Sequence, residues 1–480
     1  MSRNRTRFLK EFPKAISDEN AAVFIGAGVS VGAGYPSWKE LLREIGDELG
    51  VKSDDVYDLA ALAQWSVSDT GGATRIRQVI RDQIAVDHDI PAPLNILARM
   101  PIRHLWTTNY DRLIERALLA IRRPCSVISA QGDLALKVTA GAARVYKMHG
   151  TVDQLDEIVI STDDYELFRS RRGAFLPLLQ AHLSSFSMLF LGLSFTDPNL
   201  RHVLSLIRES FTDAPPAHFA IVRPPQKGDF RSAEEFEARL AQHNLWAKDL
   251  QRYGLFAIEI EDYDEVPGLL AEVERRVARN RVWISGSWPL DEATTPEVSF
   301  VHDVAERVGG VVGSSGLTLV SGSGLLVGSG SMSGFLSSLQ KTGAWDLERR
   351  LIVRPFPQPI EGGEPDRAQW DLLRAELARL AGHVVFIGGL KAEAGALVDS
   401  SGVHAERAIA QAKGAYLLPI GATGGAAATI AAELIGSDLR FDGPDALRPS
   451  DEQLASLGDA SVGAAELANR VLKILKSRML

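Results

Sequence analysis

Residues 21–38, Ala-Ala-Val-Phe-Ile-Gly-Ala-Gly-Val-Ser-Val-Gly-Ala-Gly-Tyr-Pro-Ser-Trp, constrain the fold of this chain more than any other stretch. A short apolar run without polar alternation (Val23, Phe24, Ile25) is a strand buried on both faces, which is the habit of parallel sheets covered by helices. The glycines that follow at 26, 28, 32 and 34 let the backbone turn tightly and approach a neighbour closely. In α/β proteins a strand that ends in such a turn can hold a pyrophosphate through main-chain N–H groups and a helix N-terminus. The spacing here is Gly-x-Gly-x-x-x-Gly rather than Gly-x-Gly-x-x-Gly, so the loop alone leaves a nucleotide turn and a plain tight turn equally open.

Three further segments have the same form. Thr-Thr-Asn-Tyr-Asp (107–111), Lys-Met-His-Gly (147–150) and Leu-Gly-Leu-Ser-Phe-Thr-Asp (191–197) each lie at the end of an apolar run, and the ends of parallel strands converge on the edge where ligands bind. Further strands are expected at 102–108, 143–148, 157–160, 188–193, 218–222 and 255–260, giving a sheet of six or seven. Helices are expected at 5–20, from a Ser37 cap through Ile45, across 53–100, over Arg112–Leu119 with Asp111 as its cap, and over Val266–Arg279.

From residue 281 the pattern begins again. Arg-Val-Trp-Ile-Ser-Gly-Ser leads to a helix at 298–308 and a strand at 317–320, then to a serine- and glycine-rich stretch, 321–334, that resembles a second phosphate loop. Strands at 350–353, 383–387 and 415–420 alternate with helices near 366–381, 402–412 and 424–435, and a helical tail covers 436–480. The fold class is therefore α/β, with two Rossmann-like, doubly wound parallel-sheet domains, 1–280 and 281–480. A length of 480 residues agrees with two domains. The net charge of −9 argues against nucleic acid or an anionic membrane as a partner. The single cysteine, Cys125, rules out an intrachain disulfide framework and a multi-cysteine zinc site; no metal is expected. No stretch reads as a signal peptide or membrane span, so a cytoplasmic location is expected.

The Gly-Ala-Gly-x-Ser loop, the Thr-x-Asn-x-Asp segment and the His-Gly, in this order over roughly residues 10–275, resemble the sirtuin-type NAD-consuming domain. The second half resembles SLOG domains, nucleotide sensors related to lonely-guy enzymes. Where a working lonely-guy enzyme has Pro-Gly-Gly-x-Gly-Thr-x-x-Glu, this chain has Pro419-Ile-Gly-Ala-Thr-Gly-Gly-Ala-Ala, with Ala427 in place of the acid, which implies binding without turnover. The two halves together resemble the Thoeris anti-phage effector family across nearly the whole chain. That resemblance implies a first domain that hydrolyses NAD+ to ADP-ribose and nicotinamide. It implies a second that recognises a cyclic ADP-ribose isomer made by a TIR-domain partner enzyme, so that NAD is depleted in abortive infection. It also implies a homo-oligomer, a tetramer or larger, with NAD+ as substrate and no cofactor.

Carried onto this sequence, Asn109 and His149 are the expected catalytic pair. Imidazole titrates near neutral pH and suits a base, and a carboxamide can both donate and accept. Gly26, Ala27, Ser30, Asp111, Ser194 and Asp197 are expected to hold NAD+. Arg374, Lys391 and Glu406 match the family's activator contacts by spacing, with Ser285, Gly286, Gly322 and Gly324 completing that pocket, and Arg354-Pro-Phe-Pro-Gln358 also fits. Taken one at a time, each has a plain alternative: His149 a packed histidine, Asn109 a turn residue, Arg374 a solvated charge and Lys391 a strand end. Two other functions stay open, a protein deacylase and a nucleotide sensor without turnover. The missing cysteines weigh against the deacylase, since protein-deacylating sirtuins commonly carry a four-cysteine zinc module.

Overall fold

The computed structural model describes every residue except 1, 54, 55, 57, 138, 140, 196–199, 203, 206–215, 290–294, 358–365, 394, 444 and 480. It divides into two units, Met1–Glu274 and Arg275–Leu480, and the division falls inside one helix, Glu265–Arg279. Each unit is α/β and is built on its own parallel sheet.

The front unit contains β1 (Ala21–Ile25), β2 (His104–Thr107), β3 (Cys125–Ile128), β4 (Ala143–Lys147), β5 (Ser187–Leu191), β6 (His218–Val222) and β7 (Leu255–Glu259). Their order is β3-β4-β2-β1-β5-β6-β7, and every pairing is parallel. β1 and β5 are buried along their whole length, which is why neither sequence alternates. Helix Arg3–Ser17 turns Phe8, Leu9, Phe12 and Ile16 inward, and Phe8 and Phe12 meet Phe219 of β6 edge-on. On the opposite face of the sheet Phe24 stacks on Phe190 at 5.8 Å. The chain leaves β1 for β2 on one side and later returns to β5 on the other. β1 is therefore the topological switch point, and in open α/β sheets ligands bind beyond the C-terminal end of such a strand.

The rear unit contains β8 (Arg281–Ser285), β9 (Thr318–Ser321), β10 (Leu351–Val353), β11 (His383–Phe386), an antiparallel hairpin β12 (Leu390–Glu393) and β13 (Ala396–Asp399), and β14 (Tyr416–Pro419). Its sheet order β10-β9-β8-β11-β14 is the 3-2-1-4-5 winding of a Rossmann domain, with the switch point at β8. No helix among the described residues is long and apolar enough to cross a membrane.

Three local expectations change. Residues 157–160 lie outside the sheet; a single 3-10 turn, Leu155–Glu157, precedes them, and the seventh strand is Cys125–Ile128, an edge strand whose mixed exposure hid it. The hairpin β12–β13 is too polar to have shown as a buried strand. Of the supposed second phosphate loop only 322–326 is loop, because helix Val327–Thr342 begins at once. Its small residues serve helix packing. A Cβ on Gly334 would lie 1.7 Å from the Glu306 carbonyl oxygen, and one on Gly309 would lie 1.9 Å from that of Ser331. Helices Pro296–Ser314 and Val327–Thr342 thus touch backbone to backbone, which only glycine permits.

Candidate active site

The register of the front sheet places Ile25 level with Thr107 and Leu191, and Thr107 level with Lys147. The loops carrying Gly26, Asn109, His149 and Ser194 therefore leave one edge at one height. The pairing continues past the strands: Met148 N–H donates to the Thr107 carbonyl and Val152 N–H to that of Tyr110, both at 2.9 Å. Asn109 and His149 each stand two residues beyond that paired level.

The first loop is glycine-rich because two backbones cross there. Gly26 N–H donates to the Leu191 carbonyl at 2.8 Å and Gly28 N–H to that of Gly192 at 2.9 Å. A Cβ on Gly26 would sit 2.4 Å from the Gly192 oxygen. Ala27 and Gly28 remain exposed on the outer side of the turn, and Ser30 is buried. The Asn109 amide Nδ2 donates to the Gly26 carbonyl at 3.0 Å and to Ser30 Oγ at 2.8 Å. A carbonyl only accepts, so this contact sets which way the amide faces. Asn109 Oδ1 is left buried, with no hydrogen-bond partner among the described residues. Asp111 stands one residue before the N-cap of helix Leu113–Ala120, which is Arg112 rather than the expected Asp111; its Oδ1 accepts from Leu113 N–H at 2.9 Å and its Oδ2 from Ser30 Oγ at 2.6 Å.

His149 is buried, with the rings of Tyr165 (5.4 Å) and Phe168 (6.3 Å) edge-on to it. Its carbonyl accepts from Val159 N–H at 3.0 Å. Gly150 follows at φ 86°, where a Cβ would meet the Glu157 carbonyl at 2.6 Å. Arg172, also buried, donates to the main-chain carbonyls of Ser129, Met148 and Glu157 and so ties three loops together behind the histidine. Ser194 is exposed on the neighbouring loop, and Asp197 lies outside the described residues. Phe168 and Arg172 escape the sequence reading, and Tyr165 reads there only as part of a turn with Asp163 and Asp164, without chemistry. Tyr165 lies in a helix, Thr162–Glu166, that the Ser161/Asp164 capping box starts, and that box was the one local signal for it.

At the rear, β8 ends in buried Ser285, whose Oγ donates to Glu406 Oε2 at 2.5 Å. Arg374 Nε lies 4.0 Å from Glu406 Oε1 and has no hydrogen-bond partner among the described residues, although Nη1 reaches Asp371 at 2.8 Å. Burial pushes the Glu406 carboxyl up to about 7, against the opposing pull of the Ser285 hydrogen bond and the Arg374 charge. The Arg374 guanidinium also stands over Phe356 (5.5 Å) and Trp370 (5.6 Å). A Cβ on Gly322 would strike the Phe356 ring at 2.5 Å, one on Gly324 the Gly286 carbonyl at 2.2 Å, and one on Gly286 the Ile387 carbonyl at 2.0 Å. Ser285, Arg374 and Glu406 thus form one cluster, and the three glycines let the loops close around it. Lys391 stands on the hairpin, 2.7 Å from Glu393 Oε2 and 3.4 Å from Ser401 Oγ, and Ser401 opens the helix that carries Glu406. Arg354 pairs with Glu376 at 2.8 Å, and Gln358 lies outside the described residues.

Comparison with known proteins agrees with this architecture. Residues 103–247 match the SIR2-like domain family, and residues 265–478 match the Sir2- and TIR-associating SLOG family. The chain is 33% identical over 479 residues to the NAD(+) hydrolase ThsA of Bacillus cereus (strain MSX-D12), covering 98% of this chain and 97% of that protein. It is 33% identical over 490 residues to that of Cytobacillus dafuensis, covering 99% and 97%. To the Acinetobacter baumannii (strain 532279) protein of the same name it is 30% identical over 469 residues, covering 96% and 97%. With both units aligned to full-length relatives over nearly all of their length, this chain belongs to the ThsA family.

Proposed function

We propose that the front unit is an NAD+ glycohydrolase that cleaves NAD+ to ADP-ribose and nicotinamide. The observation that carries this assignment is the Asn109 carboxamide: its donor half is committed to Gly26 and Ser30, and its acceptor half is buried without a hydrogen-bond partner among the described residues, at the sheet edge it shares with His149. Water attacks the anomeric carbon of the nicotinamide ribose, the bond to the ring nitrogen breaks, and its electron pair leaves on neutral nicotinamide. The ribose carries positive charge in a transition state like that of other glycoside hydrolyses. Asn109 Oδ1 accepts from the water or a ribose hydroxyl and so orients it. His149 takes the proton, a contribution of about 10²–10⁴ in rate for a positioned base. The exposed turn at Ala27 and Gly28 receives the pyrophosphate, Ser30 and Asp111 fix Asn109, and Ser194 and Asp197 line the adenosine side.

The rear unit is the sensor. Buried Glu406 and Arg374 Nε, which has no hydrogen-bond partner among the described residues, are groups that a polar ligand with both donors and acceptors would satisfy, which supports a cyclic ADP-ribose isomer supplied by a TIR-domain enzyme. Its occupancy raises front-unit turnover as a differential-affinity switch between two states. A homo-oligomer, tetramer or larger, working in the cytoplasm and depleting NAD in abortive infection, completes the proposal. The test is product analysis of the purified full chain with NAD+ and a panel of cyclic ADP-ribose isomers. Release of ADP-ribose and nicotinamide without an acyl-peptide, accelerated by one isomer, is expected; NAD+ that stays intact with every isomer sinks the assignment.

A further inference from the structure

Lys147 ends β4 and is fully buried. Its ammonium lies 2.8 Å from Glu115 Oε1 and donates to the main-chain carbonyl of Asp111. Both partners belong to the segment that carries Asn109: Asp111 is two residues beyond it, and Glu115 is in the first turn of helix Leu113–Ala120. Lys147 is itself two residues before His149. Between the backbone ties Met148–Thr107 and Val152–Tyr110, this ammonium is a side-chain bridge from the His149 loop to the Asn109 loop. From Asp111 the connection continues through its carboxylate to Ser30 and from Ser30 to the Asn109 amide.

Fold stability gives little reason for a lysine here. Taking an ammonium and a carboxylate out of water is expensive, and a well-packed apolar pair in the same space is often as stable or more so. What an apolar pair cannot do is grip the Asp111 carbonyl, since only a donor holds a backbone oxygen at a set distance.

We propose that Lys147 is a positioning residue that sets the distance between Asn109 and His149. The proposal rests on the assignment of those two side chains as the groups that meet NAD+. A displacement of about an ångström between reacting groups costs on the order of 10²-fold in rate, so the effect falls on turnover rather than on substrate binding.

The test compares the full chain with Lys147→Met, Lys147→Met/Glu115→Leu and His149→Ala. Each is assayed for NAD+ cleavage with the same panel of cyclic ADP-ribose isomers, and each is followed by thermal unfolding. The single lysine variant leaves the part-buried Glu115 without its cation and is expected to melt lower. The double variant is expected to recover the melting temperature but to keep kcat about 30- to 100-fold down, with KM within about threefold of the unsubstituted chain. Recovery of kcat together with stability overturns the proposal, because the lysine then acts on the fold alone. A double variant that does not fold overturns it too, since a positioning role leaves the fold intact once both charges are gone. Full activity in His149→Ala refutes the site assignment itself, whereas an inactive His149→Ala beside an active Lys147→Met refutes only the role of the lysine.

Discussion

Glu406 offers the sharpest test of the rear cluster. It is buried, accepts from Ser285 Oγ at 2.5 Å and has Arg374 4.0 Å away; burial outweighs both and moves its carboxyl from 4.5 to about 7. A carboxyl raised on folding contributes its full stability below the unfolded value, near 4.5. That contribution is lost as the pH rises through the folded value, near 7. A shift of this size corresponds to about 3 kcal/mol between the two limits. For a unit of this length, about 3 kcal/mol is on the order of 6–12 °C in melting temperature. Glu406→Gln keeps an oxygen for Ser285 and cannot ionise. Thermal unfolding of the full chain and of the variant, followed from pH 5 to 8.5, is expected to show the variant gaining on the unsubstituted chain steadily through neutrality. The gain in the rear-unit transition approaches those 6–12 °C at the alkaline end. A difference that stays constant across the range would falsify the claim that burial raises the Glu406 carboxyl toward neutrality.

Other consequences follow from single contacts. Gly334→Ala drives a Cβ to 1.7 Å from the Glu306 carbonyl and is expected to cost the rear unit about 3 kcal/mol or more. Gly310→Ala, whose Cβ would rest 3.5 Å from the Gly334 oxygen, is expected to be neutral or to stabilise by up to about 1 kcal/mol; denaturant unfolding of the pair checks both. Asn109→Asp sets a carboxylate against the Gly26 carbonyl, removing two donor contacts at about 1 kcal/mol each. It is expected to lower NAD+ turnover on the order of 10²-fold, and unchanged turnover counts against an oriented amide. Arg172→Lys cannot reach three carbonyls at once as the planar guanidinium does. A loss of about 2–4 kcal/mol in front-unit stability is the expected result, measured by chemical unfolding.

Much of the fold was legible because burial on both faces writes itself into sequence. β1 is an unbroken apolar run, β5 and β6 are apolar after their first residue, and small-residue turns follow β1 and β5 where their ends converge. The misses have two causes. Edge strand β3 and hairpin β12–β13 are half in water, so their residues need not be apolar. The first half of helix Val327–Thr342, up to Gly334, reads as loop because glycine and serine disfavour helix when counted residue by residue. Contact with helix Pro296–Ser314 makes small residues the ones that fit.

By itself, then, the sequence determined that two doubly wound sheets exist and where their buried strands end, because periodicity is local; Asn109 and His149 stood out through short motifs, and Arg374, Lys391 and Glu406 only through the family resemblance. The direction in which the Asn109 amide faces, the burial that raises the Glu406 carboxyl, and the grip of Lys147 and Arg172 on distant carbonyls were decided only by tertiary structure. Each depends on partners dozens of residues away, and their arrangement exists only once the sheets are wound.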